Sequence, residues 1–290
     1  MNRMNKSEKR HSSQKNHNSH KSHKSQKSHN IRKSRKSQAN QELFDWTPPS
    51  GIYDGSLPSG ERIRVGFRKT SLLDYPARLA SVIFFTGCNF RCPWCHNREL
   101  VLGEADDLLA LDECLSIIEK RKHLVQGVVL TGGEPLLQRI ISELIAQIHE
   151  LGLLVKLDTN GSLPEKLSAL IEDPRTRPDY VALDLKTDAQ RYGDLSSSFP
   201  FAAVIQSLNI LAKYKEEFEV RSVVVPGYLD EPAVKALAAL VPEEIPWYFT
   251  AFAPGNCLDS RWNDVLPPDT DDIDALVCIA EDMGRKGLRR

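Results

Sequence analysis

Three cysteines fall within the stretch CNFRCPWCHN, residues 88–97, and parts of this stretch fit several chemistries. Cys92 and Cys95, separated by two residues, match a thioredoxin-type redox pair. Together with His96 they match the CxxCH pattern of haem attachment, and a CxxC pair can also supply half of a zinc site. None of these patterns includes Cys88, four residues before Cys92, so the function of the triplet has to be explained as a whole.

The triplet fits a cubane iron–sulfur cluster. A thioredoxin-type site uses only two cysteines, and a structural zinc site needs four ligands. His96 is adjacent to Cys95, so the two residues would have difficulty binding one ion, and no second CxxC follows. A [4Fe–4S] cluster ordinarily takes four thiolates. Three cysteines on one loop would therefore hold three irons and leave the fourth open to a small molecule.

The other cysteines are predicted to be structural or incidental. Cys114 lies in a helical pattern with apolar neighbours, Cys278 lies in a terminal apolar segment, and Cys257 is a loop thiol. Free cysteine in such places behaves as a small hydrophobic residue. Because no cysteine-rich insert separates Cys95 from Gly132, we predict no auxiliary cluster.

The composition predicts a cytoplasmic protein with a substantial core. Of the 290 residues, 41% are hydrophobic, enough for one or two domains. No apolar run approaches the ~20 residues of a membrane span. The first residues lack the apolar segment of a secretory signal, so the cysteines are expected to be reduced, and a haem attachment site is disfavoured.

The charge distribution divides the chain into a basic tail and an acidic body. Residues 1–40 carry 12 Lys or Arg against the single acidic residue Glu8, giving +11, and the remainder carries −12. The tail is rich in Ser, Lys and His and has few apolar side chains, which predicts disorder. It could bind nucleic acid, dock a partner or bind metal loosely, or it could be a solvated extension. Residues 41–290 are predicted to form the core domain.

Apolar segments of strand type alternate with segments of helical period in the body. The strand-like segments are residues 81–85, 127–130, 153–158, 180–185, 218–225 and 246–252. The helical segments are residues 111–122, 135–151, 164–172, 201–215 and 231–240, with a last helix near 271–284. In the second helical segment an apolar stripe runs from Leu137 to Leu151 at the helical period. The alternation predicts an α/β fold with a parallel sheet.

The residues with chemical potential follow the predicted strands. The cysteine stretch follows the first strand, TGGEP (131–135) follows the second, and DTNG (158–161) closes the third. Asp184 and Lys186 close the fourth strand, and Arg221 lies in the fifth. Ligands bind at the carboxyl ends of parallel strands. We therefore expect these side chains to meet at one edge of the sheet.

The cysteine spacing, with Trp94 before the third cysteine, resembles the signature of radical S-adenosylmethionine (SAM) enzymes. The similarity continues through TGGEP, DTNG, VALDLK and VRSVVVPG, and covers roughly residues 64–253. Within that superfamily, KTSLLDYPARLASVIFFTGCNFRCPWCHNREL is similar to activating enzymes of glycyl radical enzymes. It is similar to the activating enzymes of anaerobic ribonucleoside-triphosphate reductase and to those of pyruvate formate-lyase. The resemblance implies an open partial (β/α)6 TIM-like barrel.

The resemblance also implies a mechanism. The cluster would deliver an electron to SAM, and the resulting 5′-deoxyadenosyl radical would remove a hydrogen atom from a glycine of the partner enzyme. Flavodoxin or ferredoxin would supply the electron. The cluster ligands, which are both the metal-binding and the catalytic residues, would be Cys88, Cys92 and Cys95. The cofactor-binding residues would be Trp94, His96, Asn97, Gly132, Gly133, Glu134, Asp158, Thr159, Asp184, Lys186 and Arg221.

Individual roles follow from charge and from the relatives. Glu134 would accept from the SAM ammonium, and Lys186 and Arg221 would face the SAM carboxylate or ribose. An internal salt bridge to the aspartates is the alternative for the last two. By analogy with pyruvate formate-lyase activating enzymes, Asp158, Thr159 and Asp184 would bind a monovalent cation beside SAM. Trp94 and His96 would border the adenine or simply pack against the cysteine loop.

Two departures from the relatives bear on the prediction. Asp74, in LLDYPAR, matches an aspartate that holds the substrate glycine loop in relatives with DGPG, but Tyr75 and Ala77 replace the glycines here. Ala253 occupies a position where relatives often carry a histidine near the adenosine. Two alternatives stay open: a radical SAM enzyme acting on a small molecule or an RNA base, and a non-enzymatic zinc or redox module with a basic arm.

Overall fold

The computed structural model describes residues 62–196, 200–214 and 217–290. The predicted disordered tail, residues 1–40, and the first residues of the predicted core domain lie outside the described residues. None of the helices in the described part of the chain combines the length and the apolar composition that a membrane crossing requires.

Nine strands form one sheet in the order β3-β1-β2-β4-β5-β6-β7-β8-β9. They are β1 (Arg64–Ser71), β2 (Ala80–Phe85), β3 (Leu109–Ala110), β4 (Gly127–Gly132), β5 (Leu154–Thr159), β6 (Tyr180–Asp184), β7 (Glu217–Val224), β8 (Pro246–Ala251) and β9 (Lys286–Arg289). Strands β2 and β4 to β9 pair in parallel, whereas β1 pairs antiparallel with both β2 and β3. Strands β3 and β9 lie at the two ends of this order and do not pair with each other, so the sheet is open, as predicted.

Within the described residues, seven α-helices connect or flank the strands. They are α1 (Arg98–Leu102), α2 (Leu111–Arg121), α3 (Ile141–Glu150), α4 (Pro164–Glu172), α5 (Phe201–Lys213), α6 (Glu231–Ala238) and α7 (Thr270–Asp282). Short 3-10 helices cover Pro135–Leu137, Tyr192–Asp194 and Ser260–Asp264. The α/β fold class and the six predicted parallel strands are confirmed.

The structure corrects the prediction of one continuous helix over residues 135–151. The chain forms a 3-10 turn, becomes extended at Gln138 (ψ 127°), and starts α3 only at Ile141. The side-chain amide of Gln138 donates to the carbonyl of Thr86 (3.2 Å), the residue that directly follows β2. The apolar stripe is real, but a tertiary hydrogen bond interrupts the helix that carries it.

Each parallel strand presents alternate residues to two faces. The face that carries Thr131, Asp158, Asp184 and Arg221 is called the site face below. On the opposite face, Leu183 lies beside Val204 of α5, since a side chain added at Gly161 would touch both. The near-continuous apolar character of the strands follows from burial on both faces.

Large side chains close the amino-terminal end of the site face. Tyr75, Val82, Val129 and Tyr180 form a buried cluster there, and the rings of Tyr75 and Tyr180 are 6.0 Å apart. The hydroxyl of Tyr180 donates to the fully buried carboxylate of Glu219 (2.8 Å). Both oxygens of Glu219 also accept from Arg290, at 2.8 and 2.7 Å. We call this layer the floor.

His149 joins the end of α3 to the segment before β6. Its Nε2 lies 3.0 Å from a carboxylate oxygen of Asp179 and its Nδ1 lies 3.1 Å from the carbonyl oxygen of Arg175. The hydrogen bond to Asp179 raises the pKa of His149, although partial burial opposes the shift.

A histidine whose pKa is raised by folding contributes stability below its unfolded pKa, about 6.5, and loses it as the pH rises through the folded pKa. We therefore expect the free energy of unfolding of the native protein to fall between about pH 5.5 and pH 8.5 by more than that of His149→Gln. Urea unfolding at the two pH values measures the difference. Parallel pH profiles of the two proteins would contradict the prediction.

Candidate functional site

A cavity of about 230 Å³ lies at the carboxyl ends of β2 and β4 to β7. The residues that line it are Cys88, Phe90, Cys92, Cys95, Asn97, Val101, Thr131, Gly132, Gly133, Asp158, Thr159, Asn160, Asp184, Lys186 and Arg221. The structure thus brings most of the predicted site residues to one edge of the sheet. A larger, more open groove of about 650 Å³ lies beside His149 and Asp179 and contains none of them.

The cysteine loop follows β2 directly and is held by backbone hydrogen bonds on several sides. The amide of Arg91 donates to the carbonyl of Leu195 (2.8 Å), and the amide of Leu258 donates to the carbonyl of Cys95 (3.1 Å). All three cysteines are free thiols. Burial raises the pKa of each thiol, that of Cys92 to about 12, so binding a metal here requires release of the thiol protons.

The arrangement of the thiols fits a multi-iron cluster. All three thiols line one cavity, at the carboxyl end of β2. Ligands of separate irons in one cluster need not converge on a point, whereas ligands of one zinc ion must. The sulfur of Cys88 also accepts from the amide of Phe90 (3.4 Å), as cluster-bound thiolates do.

Gly132 and Gly133 bring the TGGEP turn against the cysteine loop. Gly132 has a φ of 109°, which favours glycine. A Cβ added to Gly133 would lie 1.8 Å from the carbonyl oxygen of Gly87. The amide of Glu134 donates to that same oxygen (2.9 Å). The sequence predicted that the glycines allow a close approach to a cofactor. In the structure they allow the TGGEP turn to approach the backbone of Gly87, just before the cysteine loop.

Gly133→Ala is expected to destabilise the protein by about 1–3 kcal/mol, the usual range for overpacking, because backbone rather than a flexible side chain blocks the new methyl group. Gly193→Ala is the matched control, since a Cβ there meets nothing within 4 Å. Denaturant unfolding of both variants measures the effect. Equal stability of the two variants would show that the loops separate without cost.

Glu134 is fully buried and does not line the cavity. Its carboxylate accepts from the amide of Leu136 (3.0 Å), the hydroxyl of Thr159 (2.8 Å) and the amide of Asn160 (2.8 Å). Burial raises the pKa of Glu134 to about 7, against the effect of these hydrogen bonds. In the structure Glu134 therefore connects the TGGEP turn to DTNG rather than pointing at a ligand.

Five ionisable side chains form a charge network along the cavity: Lys156, Asp158, Asp184, Lys186 and Arg221. Lys156 contacts Asp158, and Lys186 lies 3.2 Å from Asp184. Arg221 joins the two aspartates, with 3.1 Å to Asp158 and 2.8 Å to Asp184. Burial acts to raise the pKa of Asp184, but Arg221 and Lys186 outweigh it and lower that pKa to about 2.

The network carries three cations and two carboxylates. The internal salt bridges that were the alternative for Lys186 and Arg221 are present. The one positive charge in excess comes from counting Lys156, which lies outside the lining of the cavity. Lys186 and Arg221, the two cations that do line the cavity, can contact an anionic group.

Four predicted site residues lie outside the lining of the cavity: Trp94, His96, Glu134 and Asp74. Trp94 packs against Tyr228, with ring centroids 4.4 Å apart. His96 stacks on Phe252 and contacts the carbonyl of Gly255. Both side chains thus pack against aromatic residues outside the cysteine loop, and their predicted place beside the adenine stays a prediction.

Asp74 belongs to the loop between β1 and β2, at the amino-terminal end of the parallel strands. It pairs there with Arg68 (3.1 Å). The structure does not bring Asp74 to the cysteines, because β1 runs antiparallel to β2 and its connection lies at the opposite edge. Asn97, by contrast, lines the cavity and donates to the carbonyl of Gly132 (3.1 Å).

Sequence reasoning missed Lys156 and assigned no role to Asn160. The signal for Lys156 was a lysine inside the apolar run LLVKLD, two residues before Asp158 and so on the same face. Its side chain is almost completely buried. Asn160 was quoted within DTNG, but its contact with Cys88 across 72 residues of sequence is visible only in the structure.

The fold and the site describe an α/β protein in which three free thiols line a cavity at the carboxyl edge of a parallel sheet. A family model described as the radical SAM superfamily matches residues 82–240. The chain belongs to the radical SAM superfamily. Membership implies a [4Fe–4S] cluster and SAM, and the donor set described above fits both.

Several curated proteins are similar to this chain in sequence. A Methanocaldococcus jannaschii protein named as a glycyl-radical enzyme activating enzyme, MJ1227, is 29% identical over 74% of this chain and 90% of its own. GTP 3′,8-cyclase of Staphylococcus saprophyticus is 29% identical over 67% of this chain and 59% of its own. Pyruvate formate-lyase-activating enzyme of Staphylococcus aureus is 29% identical over 53% of this chain and 64% of its own.

Among solved structures, Streptococcus suis SuiB bound to the precursor peptide SuiA superimposes with a TM-score of 0.55 at 17% identity. The match covers 69% of this chain and 44% of SuiB. This chain thus spans less than half of that protein, and the likeness concerns the fold alone.

Proposed function

We propose that this enzyme generates a glycyl radical on a partner protein by reductive cleavage of SAM. The observation that carries the proposal is the convergence of three free thiols and a net positive charge network on one cavity at the carboxyl edge. The name of the M. jannaschii relative, which this chain spans almost entirely, supports the choice of reaction.

In this proposal Cys88, Cys92 and Cys95 hold the cluster. When bound, the cluster and SAM supply the electron and the 5′-deoxyadenosyl radical. The protein's part is to bind, orient and exclude water. Burial of Cys88 and Cys92 and the packing of Trp94 against Tyr228 limit the access of water to these thiols. Thr131 and the glycine pair also line the cavity.

The charge network would receive the methionyl part of SAM. Its carboxylate is an anion, and Lys186 and Arg221 are the cations of the network that face the cavity. Both keep aspartate partners, which restrict their side chains before the ligand arrives. Such restriction lowers the entropy cost of binding.

The monovalent cation expected at Asp158, Thr159 and Asp184 would have to share carboxylates that already contact three cations of the chain. The charge balance therefore favours an arrangement in which Lys156, Lys186 and Arg221, rather than an alkali ion, neutralise Asp158 and Asp184. A bound alkali ion remains part of the proposal only as an addition to that network.

The partner that we propose is anaerobic ribonucleoside-triphosphate reductase, as the resemblance of the stretch around the cysteines implies. A flavodoxin or ferredoxin would supply the electron, and the cytoplasm would be the compartment. All six cysteines are free thiols, which agrees with a reducing environment. The alternative of a non-enzymatic zinc or redox module is set aside by membership in an enzyme superfamily.

Anaerobic reconstitution tests the proposal. The protein should take up about four irons per chain and convert SAM to 5′-deoxyadenosine when reduced. Adding a purified glycyl radical enzyme should then produce a glycyl signal in electron paramagnetic resonance (EPR). Iron uptake and SAM cleavage without a signal from any such partner would overturn the assignment of the reaction while leaving the superfamily in place.

A second candidate is action on a small molecule, and the similarity to GTP 3′,8-cyclase favours it. The same reconstituted protein can be incubated with GTP and SAM and without a protein partner. Consumption of GTP in step with 5′-deoxyadenosine formation would favour this candidate. Glycyl radical formation without nucleotide consumption would exclude it.

A further inference from the structure

The sulfur of Cys88 accepts a hydrogen bond from a side-chain amide in addition to the backbone amide of Phe90. The Nδ2 of Asn160 lies 3.8 Å from this sulfur, within the range for a sulfur acceptor. Both residues are buried, at 5% and 9% exposure. Because Asn160 reaches the sulfur through its side chain, a substitution can remove this donor while leaving the backbone donor of Phe90 in place.

Neighbouring groups fix which end of the Asn160 amide faces the sulfur. Its Oδ1 accepts from the backbone amide of Ser162 (2.9 Å), a group that can only donate, and also from the hydroxyl of Ser162 (2.6 Å). The Nδ2 must therefore point the other way, toward Cys88 and toward the Oδ1 of Asn89 (2.9 Å). Asn89 in turn donates to Ser162 (2.7 Å), which closes a ring of three buried side chains.

This ring also connects the cysteine loop to DTNG. Asn89 follows Cys88 in the loop, whereas Asn160 and Ser162 follow β5. The amide of Asn160 is anchored on the buried carboxylate of Glu134 (2.8 Å). The side-chain donor is thus held from both sides, and none of its hydrogen bonds depends on an exposed residue.

We infer that Asn160 is a positioning residue that raises the reduction potential of the cluster through its hydrogen bond to the Cys88 sulfur. The inference rests on the proposed function, since it requires a cluster on these thiols. A reduced cluster carries one more negative charge than an oxidised one, so an N–H donor at a ligand sulfur stabilises the reduced form more. Hydrogen bonds to the sulfurs are among the factors that set iron–sulfur potentials.

Asn160→Ala and Ser162→Ala are the informative pair. The first removes the donor to sulfur, whereas the second breaks the ring and leaves that donor anchored by the Ser162 backbone amide. After reconstitution and iron analysis, the midpoint potential is measured by redox titration monitored by EPR. We expect the ratio of reduced to oxidised cluster in Asn160→Ala to fall about tenfold at the native midpoint, a shift of 59 mV for one electron. Ser162→Ala should stay within about twofold of the native ratio.

An unchanged potential in Asn160→Ala, or equal shifts in both variants, would overturn the inference. If Asn160→Ala does not assemble a cluster, the native protein provides the test. Pulsed EPR on reduced protein labelled with 15N in its asparagine side chains should detect weak coupling of the cluster to nitrogen, and its absence would overturn the inference. Failure of the native protein to assemble a cluster would instead contradict the proposed function.

Discussion

Replacing Cys92 with alanine is expected to abolish SAM cleavage and to prevent assembly of an intact cluster. Native protein should bind about four irons per chain after anaerobic reconstitution, and the variant well under that number. The physical reason is that the remaining two thiolates can hold only two of the four irons. Iron analysis and chromatographic measurement of 5′-deoxyadenosine check the result.

Cys257→Ala is the sharpest control for this experiment. Cys257 is buried at 2% exposure, and the amide of the next residue, Leu258, donates to the carbonyl of Cys95. It is therefore a thiol beside the cysteine loop that the triplet does not include. The control should keep full iron content and activity. Loss of iron in Cys257→Ala would mean that four cysteines bind the metal and that no iron is left open.

Replacing Arg221 with methionine is expected to destabilise the protein by about 3 kcal/mol. Removing one partner of a buried ion pair typically costs about 3–5 kcal/mol, and the low end applies because Asp158 keeps Lys156 and Asp184 keeps Lys186. Urea unfolding at neutral pH measures the loss. SAM cleavage should fall as well, since Arg221 is one of the two cations that we propose for the SAM carboxylate.

The effect of Arg221→Met should also depend on pH in a defined direction. The folded pKa of Asp184 is lowered to about 2, so this carboxylate contributes stability above its unfolded pKa of about 3.9 and loses it as the pH falls toward 2. The stability difference between native and variant protein should accordingly be full at pH 7 and shrink near pH 3. A difference that stays constant would contradict the role of the ion pair.

Arg68→Met provides the matched control. Arg68 also pairs with an aspartate, Asp74, but its side chain is 54% exposed. Exposed pairs contribute about 0–1 kcal/mol. A loss as large as that in Arg221→Met would show that burial does not explain the difference.

Much of the fold was predictable because local signals dominate it. The six parallel strands are apolar runs bounded by glycine, proline and charged residues, and the helices between them have clear period. Strand β1 was missed because RVGFRKTS alternates weakly and carries several cations. Strand β9, KGLR, is too short and too polar to be predicted from its sequence. It is stabilised by pairing with β8 and by the hydrogen bonds of the following residue, Arg290, to Glu219.

The composition of the site was predictable, but its hydrogen bonds were not. Chemically active residues at the ends of strands identify an edge, and that rule located the cysteines, both aspartates and Arg221. The rule does not predict which of these side chains form hydrogen bonds or ion pairs with one another. Glu134 accepts from three donors of the protein and Trp94 packs with Tyr228, contacts that depend on the tertiary structure and could not be predicted from the sequence. The roles predicted for these two residues beside SAM stay predictions.

The floor has a consequence for the order of events under the proposed function. Tyr75, Tyr180 and the Glu219–Arg290 pair fill the amino-terminal end of the site face. Under the proposed function we therefore expect the mouth of the cavity to lie at the cysteine edge. The nucleoside cofactor must arrive before a docked protein covers that mouth. Spent methionine and 5′-deoxyadenosine must in turn wait until the docked protein departs, so each visit by a partner should correspond to a single turnover.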